Sequence, residues 1–377
     1  MEVWIGLDVG ERETQFCAIG PDKAIHFEVN IQTSADGVLS AIDNLPRVTI
    51  KSIVMEAGLA RGMARSLRAL GFPVIMVDAR KAHRFLSIRH HKSDRNDARG
   101  LAELGMMELD SVRSVHLKSP ETQYLRTQLV LRNQMLKQKN ALQAVMRSLI
   151  VDHGLLPKMP PPTQLRSALE RQSLSDVSSN AYQSELLSVL AVWEAMRDYL
   201  RMTDIRLKRI AADHPVMSGF MEVPGIGYIC AISFFTAIED PMRFQRSADI
   251  GAYLGMVPKV KQSGTMVIKS RITKAGNKLT RTHLVMAARA VISHSAVESA
   301  ITVWGRELAA RIGHSKARVA VARKLAVILL SMWKSGRAYQ PYPQYFDLPS
   351  GSDRLGHRPH FESIGSGSEH GAKSVAI

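Results

Sequence analysis

The sequence predicts an α/β N-terminal domain, then a helical arm, then a mainly α-helical C-terminal domain. Short apolar runs alternate with helical patterns over residues 1–112, an order typical of α/β domains. From residue 113 the apolar spacing is mostly that of amphipathic helices. We place the arm at 113–215 and the C-terminal domain at 216–340. Residues 341–377 are rich in Pro, Gly, Ser and His and poor in apolar residues, so we expect a disordered tail.

The N-terminal elements follow a recognisable order. Apolar runs bounded by turn residues predict strands at 3–9, 14–19, 24–30, 52–55 and 73–77. Helical spacing predicts helices at 34–44, at 61–70 and from residue 94. Three strands followed by alternating helices and strands match the ribonuclease-H-like mixed sheet, which carries metal-binding carboxylates at strand ends and on a late helix.

Four acids are candidates for such a site. Asp8 and Glu56 each end an apolar strand, and ligands of open α/β sheets bind beyond the carboxyl ends of strands. Asp94 and Asp97 lie three residues apart at a helix start, so they share a face. Carboxylate oxygens suit Mg²⁺ (or Mn²⁺). The alternative is that Asp94 caps its helix, Asp97 favours the dipole, and the strand-end acids are solvated. Asp78 is a rival that we rank lower, because 79–81 looks like a loop leading away.

The charge indicates a polyanionic partner. The net charge is +16 and the pI is about 10.0, which favours nucleic acid over a membrane surface, although a merely basic globular protein is an alternative. Two cysteines without a partner motif fit a reducing cytoplasm, and the apolar runs are too short to span a bilayer. The candidate nucleic-acid contacts beside the acids are Arg89, Lys92, Arg95 and Arg99.

Two long helical runs, 120–154 and 183–212, form the predicted arm. Each carries an apolar stripe, as packed or coiled-coil helices do. We interpret them as an antiparallel pair that separates the domains and mediates self-association. A solvated helical linker is the alternative.

The C-terminal domain carries a glycine turn and a cationic segment. Gly225 and Gly227 precede a helix at 228–238, as in helix-hairpin-helix modules, where backbone N–H groups meet a phosphate; a plain turn is the alternative. Residues 259–281 hold seven cations and no acid. Within them, Ser263 beside Gly264 offers a hydroxyl to attack a phosphodiester, or is an ordinary turn residue. Further helices are predicted at 244–254, 279–294 and 315–333. The candidate nucleic-acid contacts here are Lys261, Lys269, Arg271, Lys274, Lys278 and Arg281.

Taken together, these motifs resemble the D-E-D-D transposases of bacterial insertion sequences, RuvC-like recombinases guided by a bridge RNA. The N-terminal motifs are Gly-Leu-Asp-Val-Gly at 6–10, Met-Glu-Ala-Gly at 55–58 and Lys-Ser-Asp-Arg-Asn-Asp-Ala-Arg at 92–99. The C-terminal ones include Val-Pro-Gly-Ile-Gly at 223–227, Ala-Tyr-Leu-Gly-Met-Val-Pro at 252–258, Gln-Ser-Gly at 262–264 and Arg-Ile-Thr-Lys-Ala-Gly-Asn at 271–277. The ordered set covers residues 3 to about 340. Two positions depart from the pattern: Ser93 replaces the usual Thr, and Gln262 replaces a second Ser.

The resemblance implies a composite active site. The RuvC-like domain is expected to hold Mg²⁺ through Asp8, Glu56, Asp94 and Asp97. A transposase domain is expected to supply Ser263, which would attack a DNA phosphate and form a covalent intermediate. The implied partners are donor and target DNA, a non-coding guide RNA from the element, and further copies of the chain in a dimer or tetramer. The alternatives are a hydrolytic nuclease like the Holliday-junction resolvases and a non-catalytic nucleic-acid-binding protein.

Overall fold

The computed structural model describes residues 1–87, 93–107, 114–171, 177–263 and 266–342, and the side chains of 177–179, 260–263 and 266–270 are not described. The chain divides into two compact units, Met1–Tyr124 and Leu125–Ile377. The predicted tail lies outside the described residues. The finer division into four parts stays a prediction.

The N-terminal unit is built on a five-stranded mixed sheet in the order β3-β2-β1-β4-β5. β1 and β2 pair antiparallel, as do β2 and β3, while β4 and β5 run parallel to β1. The strands are β1 (Glu2–Val9), β2 (Glu13–Ile19), β3 (Ile25–Gln32), β4 (Thr49–Glu56) and β5 (Val74–Val77), and the helices are α1 (Ala35–Asp43), α2 (Arg61–Ala69), α3 (Ala79–Leu86) and α4 (Asp94–Met106). The predicted mixed sheet of ribonuclease-H or RuvC type is confirmed.

Helices cover both faces of this sheet. Ile5, Leu7 and Met55 face α1 and α2 in one hydrophobic cluster. Because side chains alternate along a strand, the intervening residues face the other side. There Val54 packs under α3 and α4, and Cys17 packs under α4. The sheet is therefore buried on both faces, as parallel strands with helical crossovers require.

The second unit is mainly helical, as predicted. Its helices are α5 (Pro120–Asp152, which begins in the first unit), α6 (Leu165–Arg171), α7 (Val177–Asp213), α8 (Pro215–Met221), α9 (Tyr228–Ile238), α10 (Ile250–Tyr253), α11 (Lys278–Ser293), α12 (Ala300–Ile312) and α13 (His314–Ser335). One hydrophobic core gathers α8 to α13, and a separate cluster joins α5, α6 and α7 around Leu190 and Trp193. The cationic segment contains an antiparallel hairpin of β6 (Pro258–Ser263) and β7 (Met266–Ile272).

The predicted helix at 244–254 is wrong in its first half. Short 3₁₀ turns occupy Pro241–Arg243 and Ser247–Asp249, and α10 spans only Ile250–Tyr253. The cause is Lys334, whose Nζ donates hydrogen bonds to the carbonyls of Phe244 (2.7 Å) and Gln245 (3.1 Å). Those carbonyls are therefore taken by a side chain instead of by a helical turn.

Cys17 and Cys230 are both buried free thiols. In the described part of the chain, no helix is long and apolar enough to cross a membrane.

Candidate active site

Strand register brings Asp8 and Glu56 to the same edge of the sheet. β1 and β4 are parallel neighbours in which Leu7 is the partner of Met55, so the next residues along are Asp8 and Glu56. The carboxyl ends of parallel strands meet at one edge. Both side chains are partly buried. Two acids that are 48 positions apart in the sequence therefore end adjacent strands side by side.

Helix α4 crosses β1 at very short range. A Cβ atom on Gly6 would lie 1.9 Å from the carbonyl oxygen of Ala98 and 2.4 Å from the amide nitrogen of Ala102. Further along the helix, a Cβ atom on Gly105 would meet the side chains of Ser52 and Val54. The helix thus runs opposite to β1, and its N-terminus lies toward the carboxyl edge.

The same contacts decide which way the acids face. Asp8 is two residues from Gly6, and Glu56 is two residues from Val54, so strand alternation turns both toward α4. On the helix, Asp94 lies four residues before Ala98, which packs on Gly6, and therefore on the same helical face. Asp97 follows the same rule relative to buried Leu101. All four acids share one face and one edge.

Ser93, and not Asp94, caps helix α4. The Ser93 hydroxyl accepts a hydrogen bond from the Asn96 amide at 3.3 Å, and its carbonyl accepts one from the Asp97 amide at 2.9 Å. The alternative in which Asp94 is the N-cap residue of this helix is therefore wrong. Asp94 is the first helical residue and is exposed. The hydroxyl that Ser93 keeps in place of Thr does the capping.

The donor chemistry of this corner fits a hard divalent cation. All four groups are carboxylates, the ligands that Mg²⁺ prefers. Among the described residues, however, no three or more His, Cys, Asp or Glu side chains stand close enough together to hold a metal ion. Backbone placement thus brings the acids to one corner, and coordination by the four side chains stays a prediction.

Asp78 differs from the four acids in its face and in its partner. It follows β5, where Val74 and Met76 face α1 and α2, so alternation puts it on the opposite side from Glu56. It caps α3, a helix where the sequence had suggested a loop, and accepts hydrogen bonds from the amide and Nε of Arg80 at 3.1 and 3.3 Å. Burial raises the pKa of Asp78, but the Arg80 contacts outweigh it and hold that pKa below its usual value.

The cations predicted around the acids are partly described. Arg95 lies 3.5 Å from Glu28 and its side chain is 74% exposed, which leaves it accessible to a polyanion. Arg99 pairs with Glu103 one turn along α4, at 3.6 Å. Arg89 and Lys92 lie outside the described residues.

Ser263 is the last residue of β6, and its backbone pairs with Met266. The loop residues 264–265 and the side chains of Ser263, Lys261 and Lys269 lie outside what the structure describes. Arg271, near the end of β7, and Lys274 and Lys278, beyond that strand, are exposed. The nucleophile therefore stays a prediction, now located at the tip of a two-stranded hairpin.

Two of the predicted nucleic-acid contacts, Gly225 and Arg281, also have structural roles, and their binding of nucleic acid stays a prediction. Gly225 has φ +79°, and a Cβ atom there would lie 2.6 Å from the carbonyl oxygen of Ala287, so this glycine lets the turn pack on α11. Arg281 donates a hydrogen bond to the carbonyl of Leu254 at 3.0 Å, and burial lowers its pKa. Gly227 is the N-cap of α9, and a Cβ atom there would meet open space, so its contact with a phosphate stays a prediction.

Sequence reasoning missed a polar cluster inside the second unit. Arg132 of α5 forms two hydrogen bonds with Asp204 of α7, at 2.5 and 3.1 Å. Burial, together with the charge of Asp204, raises the pKa of Tyr228 at the start of α9. Burial and the charge of Arg132 lower the pKa of His283 on α11 to about 4. No motif marks these residues, because the four come from four separate helices.

Comparison with known proteins covers most of the chain. Residues 5–153 match the DEDD family model described as "Transposase", and residues 217–302 match the one described as "Transposase IS116/IS110/IS902 family". The chain is 26% identical to the transposase for insertion sequence element IS1111A of Coxiella burnetii, over 89% of this chain and 91% of that protein. It is 27% identical to a probable family 20 transposase of Pseudomonas aeruginosa, over 89% and 98% of the two chains.

Proposed function

The chain belongs to the DEDD transposase family of insertion sequences, and from that premise we propose that it cuts and rejoins DNA strands through a covalent serine intermediate assisted by Mg²⁺. Its activity is that of a DNA transposase. The observation that carries the finer proposal is the backbone placement of Asp8, Glu56, Asp94 and Asp97 at one corner of the sheet, through strand register and the packing of α4 on Gly6.

The carboxylates supply the metal-binding half of the proposed site. Asp8 and Glu56 hold their positions through strand register, and Asp94 and Asp97 through the packing of α4 on Gly6. A bound divalent ion supplies Lewis-acid stabilisation of the charge on a reacting phosphate. Exposed Arg95 would hold the neighbouring DNA backbone by charge.

Ser263 supplies the nucleophile in this proposal. Its Oγ forms a bond to phosphorus, the phosphodiester bond to the neighbouring nucleotide breaks, and the serine proton leaves to a base. The departing oxygen takes up a proton and becomes a free hydroxyl. Attack of a hydroxyl from the other DNA on the phosphoserine then reverses these steps, so rejoining needs no ATP. Support comes from the hairpin position of Ser263 within the cationic segment.

Guide RNA and self-association belong to the same proposal. The net charge of +16 fits nucleic-acid partners, and an added RNA would let base pairing read the sequence while the protein binds backbones. The paired helices α5 and α7 form a separate hydrophobic cluster with α6, which supports a distinct arm. Exposed Val192, Tyr199 and Met202 lie along one side of α7 and suit contact with a second copy.

Hydrolysis is the competing reaction. A metal-activated water attacking at the carboxylates would cut DNA as a junction-resolving nuclease does and would leave Ser263 without a role. Both reactions need the acids, so only the fate of the phosphate distinguishes them. A purely binding role would need neither.

The test is a denaturing gel of labelled DNA from the element end after treatment with full-length protein. Ser263→Ala should keep binding but lose the covalent adduct and strand exchange, whereas Ser270→Ala, in the same hairpin, should keep both. Glu56→Ala should bind DNA without cutting it, with Glu2→Ala at the amino end of β1 as its control. Full recombination by Ser263→Ala, or an adduct that maps to another residue, would refute the serine assignment.

A further inference from the structure

The connection from β4 to α2 lies on the same edge as the four acids. It comprises residues 57–60 and continues into Arg61, the first residue of α2; we call residues 57–61 the lip. The lip follows Glu56 directly in the chain. Because Glu56 faces α4 and α2 packs on the opposite face, the lip has to pass over the carboxyl edge to join them.

Leu59 is held outward in this lip. Its side chain is 64% exposed, the largest exposed fraction of any aliphatic residue in the described part of the N-terminal unit. The next residue, Ala60, is 1% exposed, and Met63 and Leu67 are buried against the sheet. Gly58, on the other side, has open space around it. Buried Ala60 and the buried residues of α2 thus fix the path of the chain, and they leave the side chain of Leu59 on the surface.

Exposure alone would not single out Leu59, because isolated apolar residues are common on protein surfaces. Its position three residues after Glu56 is what makes it a candidate for contact with DNA. Because the lip follows Glu56 directly in the chain, a DNA strand whose phosphate reaches Glu56 would come close to the lip. Apolar side chains contact DNA by packing on sugars or between bases.

Arg61 adds a charge to the same surface. It is exposed, and it stands at the first position of α2, where a cation is disfavoured by the positive end of the helix dipole. A phosphate beside Arg61 would offset that repulsion and would also pair with the guanidinium. The two residues therefore offer one apolar and one cationic contact on one turn of chain.

We propose that the lip holds the DNA strand that is to be cut. Leu59 packs against the nucleotide next to the scissile phosphate, and Arg61 binds a phosphate of the same strand. This assignment rests on the proposed function, in which Glu56 belongs to the cleavage site. Leu59 is a positioning residue in it, because it fixes the strand and touches no reacting atom.

Matched pairs of variants test the lip. Leu59→Ala is compared with Leu70→Ala, which is 58% exposed at the far end of α2. Arg61→Ala is compared with Arg47→Ala, which is exposed in the connection leading to the amino end of β4. Full-length protein is purified with the RNA it carries, and four quantities are measured: cleavage of labelled element-end DNA, melting temperature, DNA affinity and RNA affinity. 2-Aminopurine at the scissile nucleotide reports its stacking.

Leu59→Ala should reduce cleavage about tenfold, as expected for losing the burial of one leucine side chain, with unchanged melting temperature and an altered 2-aminopurine signal. Arg61→Ala should lower the salt dependence of DNA binding by about one phosphate contact. Both controls should behave as wild type. Equal behaviour of Leu59→Ala and Leu70→Ala would overturn the proposal, as would a defect confined to RNA affinity. If Glu56→Ala still cuts, the proposed function itself fails; if only the lip variants are silent, the proposed function stands.

Discussion

The two halves of the proposed chemistry are held in different ways. Asp8 and Glu56 stand on a sheet that is buried on both faces, and strand register fixes their positions. Asp94 and Asp97 stand on α4, which is fixed by its close contact with Gly6. Ser263 stands at the end of a two-stranded hairpin whose partner strands belong to no larger sheet in the described residues. Two-stranded hairpins have little stability of their own. The carboxylate site is therefore fixed by the core of its unit, while the serine is fixed by local pairing.

The difference between a rigid carboxylate site and a serine on a small hairpin fits what each group has to do. Metal-binding groups need constant separations, so a rigid scaffold suits them. A serine that must reach a DNA phosphate and later give it up needs freedom to approach. Mutations in the core of the first unit should therefore lower both the stability of the fold and the activity of the carboxylate site. Mutations in the hairpin should lower activity while leaving the stability of the fold nearly unchanged.

The largest effect is expected from Gly6→Ala. The added methyl group would lie 1.9 Å from the carbonyl oxygen of Ala98, so α4 has to move away from β1. We expect the free energy of unfolding to fall by about 3 kcal/mol, the upper range for overpacking, and cleavage to be lost with it. Urea denaturation and the DNA gel measure the two. Gly62→Ala is the control, because open space surrounds Gly62; an equal loss there would contradict the packing argument.

The contrast also explains what the sequence revealed. Period-two and helical apolar spacing predicted the strands of the first unit and its helices other than α3, and strand ends pointed to Asp8 and Glu56. The face of each acid needed the Gly6 contact, and the sequence offered Asp94 as a cap until the hydrogen bond from the Asn96 amide identified Ser93. The Phe244 segment and the Arg132 cluster were not predictable, because Lys334 and Asp204 reach them from distant parts of the chain.

A second prediction concerns His283 in the core of the helical unit. Its pKa is lowered from 6.5 to about 4 by burial and by Arg132, so the unfolded chain binds more protons between these pH values. Stability from this group is complete above pH 6.5 and declines as pH falls toward 4. We expect a loss on the order of 2 kcal/mol across that window, discounted for partial exposure.

Urea denaturation of the full chain at pH 7, 5.5 and 4.5 measures this effect. His283→Gln should flatten the pH dependence relative to wild type, because the buried titrating group is gone. His294→Gln, an exposed histidine at the end of the same helix, should leave the dependence as it is. Matching slopes for the two variants would show that His283 is not the group responsible.

The smallest effect on folding, and the sharpest separation of fold from function, is expected at the end of β7 and just after it. Arg271 and Lys274 are both exposed, so reversing their charges with Arg271→Glu and Lys274→Glu should change the free energy of unfolding by less than about 0.5 kcal/mol. Nucleic-acid binding should weaken, and the slope of its logarithm against that of salt should fall by about two, one for each lost phosphate contact. Filter binding at a series of salt concentrations gives the slope.

The control is the double variant Arg201→Glu and Lys208→Glu, on exposed positions of α7, which changes the net charge of the same unit by the same amount. If both double variants lower the slope equally, the effect comes from net charge alone, and the prediction that Arg271 and Lys274 contact the DNA backbone is wrong. If only the Arg271 and Lys274 variant lowers the slope, these two cations bind DNA phosphates although they contribute little to the stability of the fold. Such binding is needed near Ser263, because local strand pairing alone positions the serine and the DNA has to be held beside it by other residues.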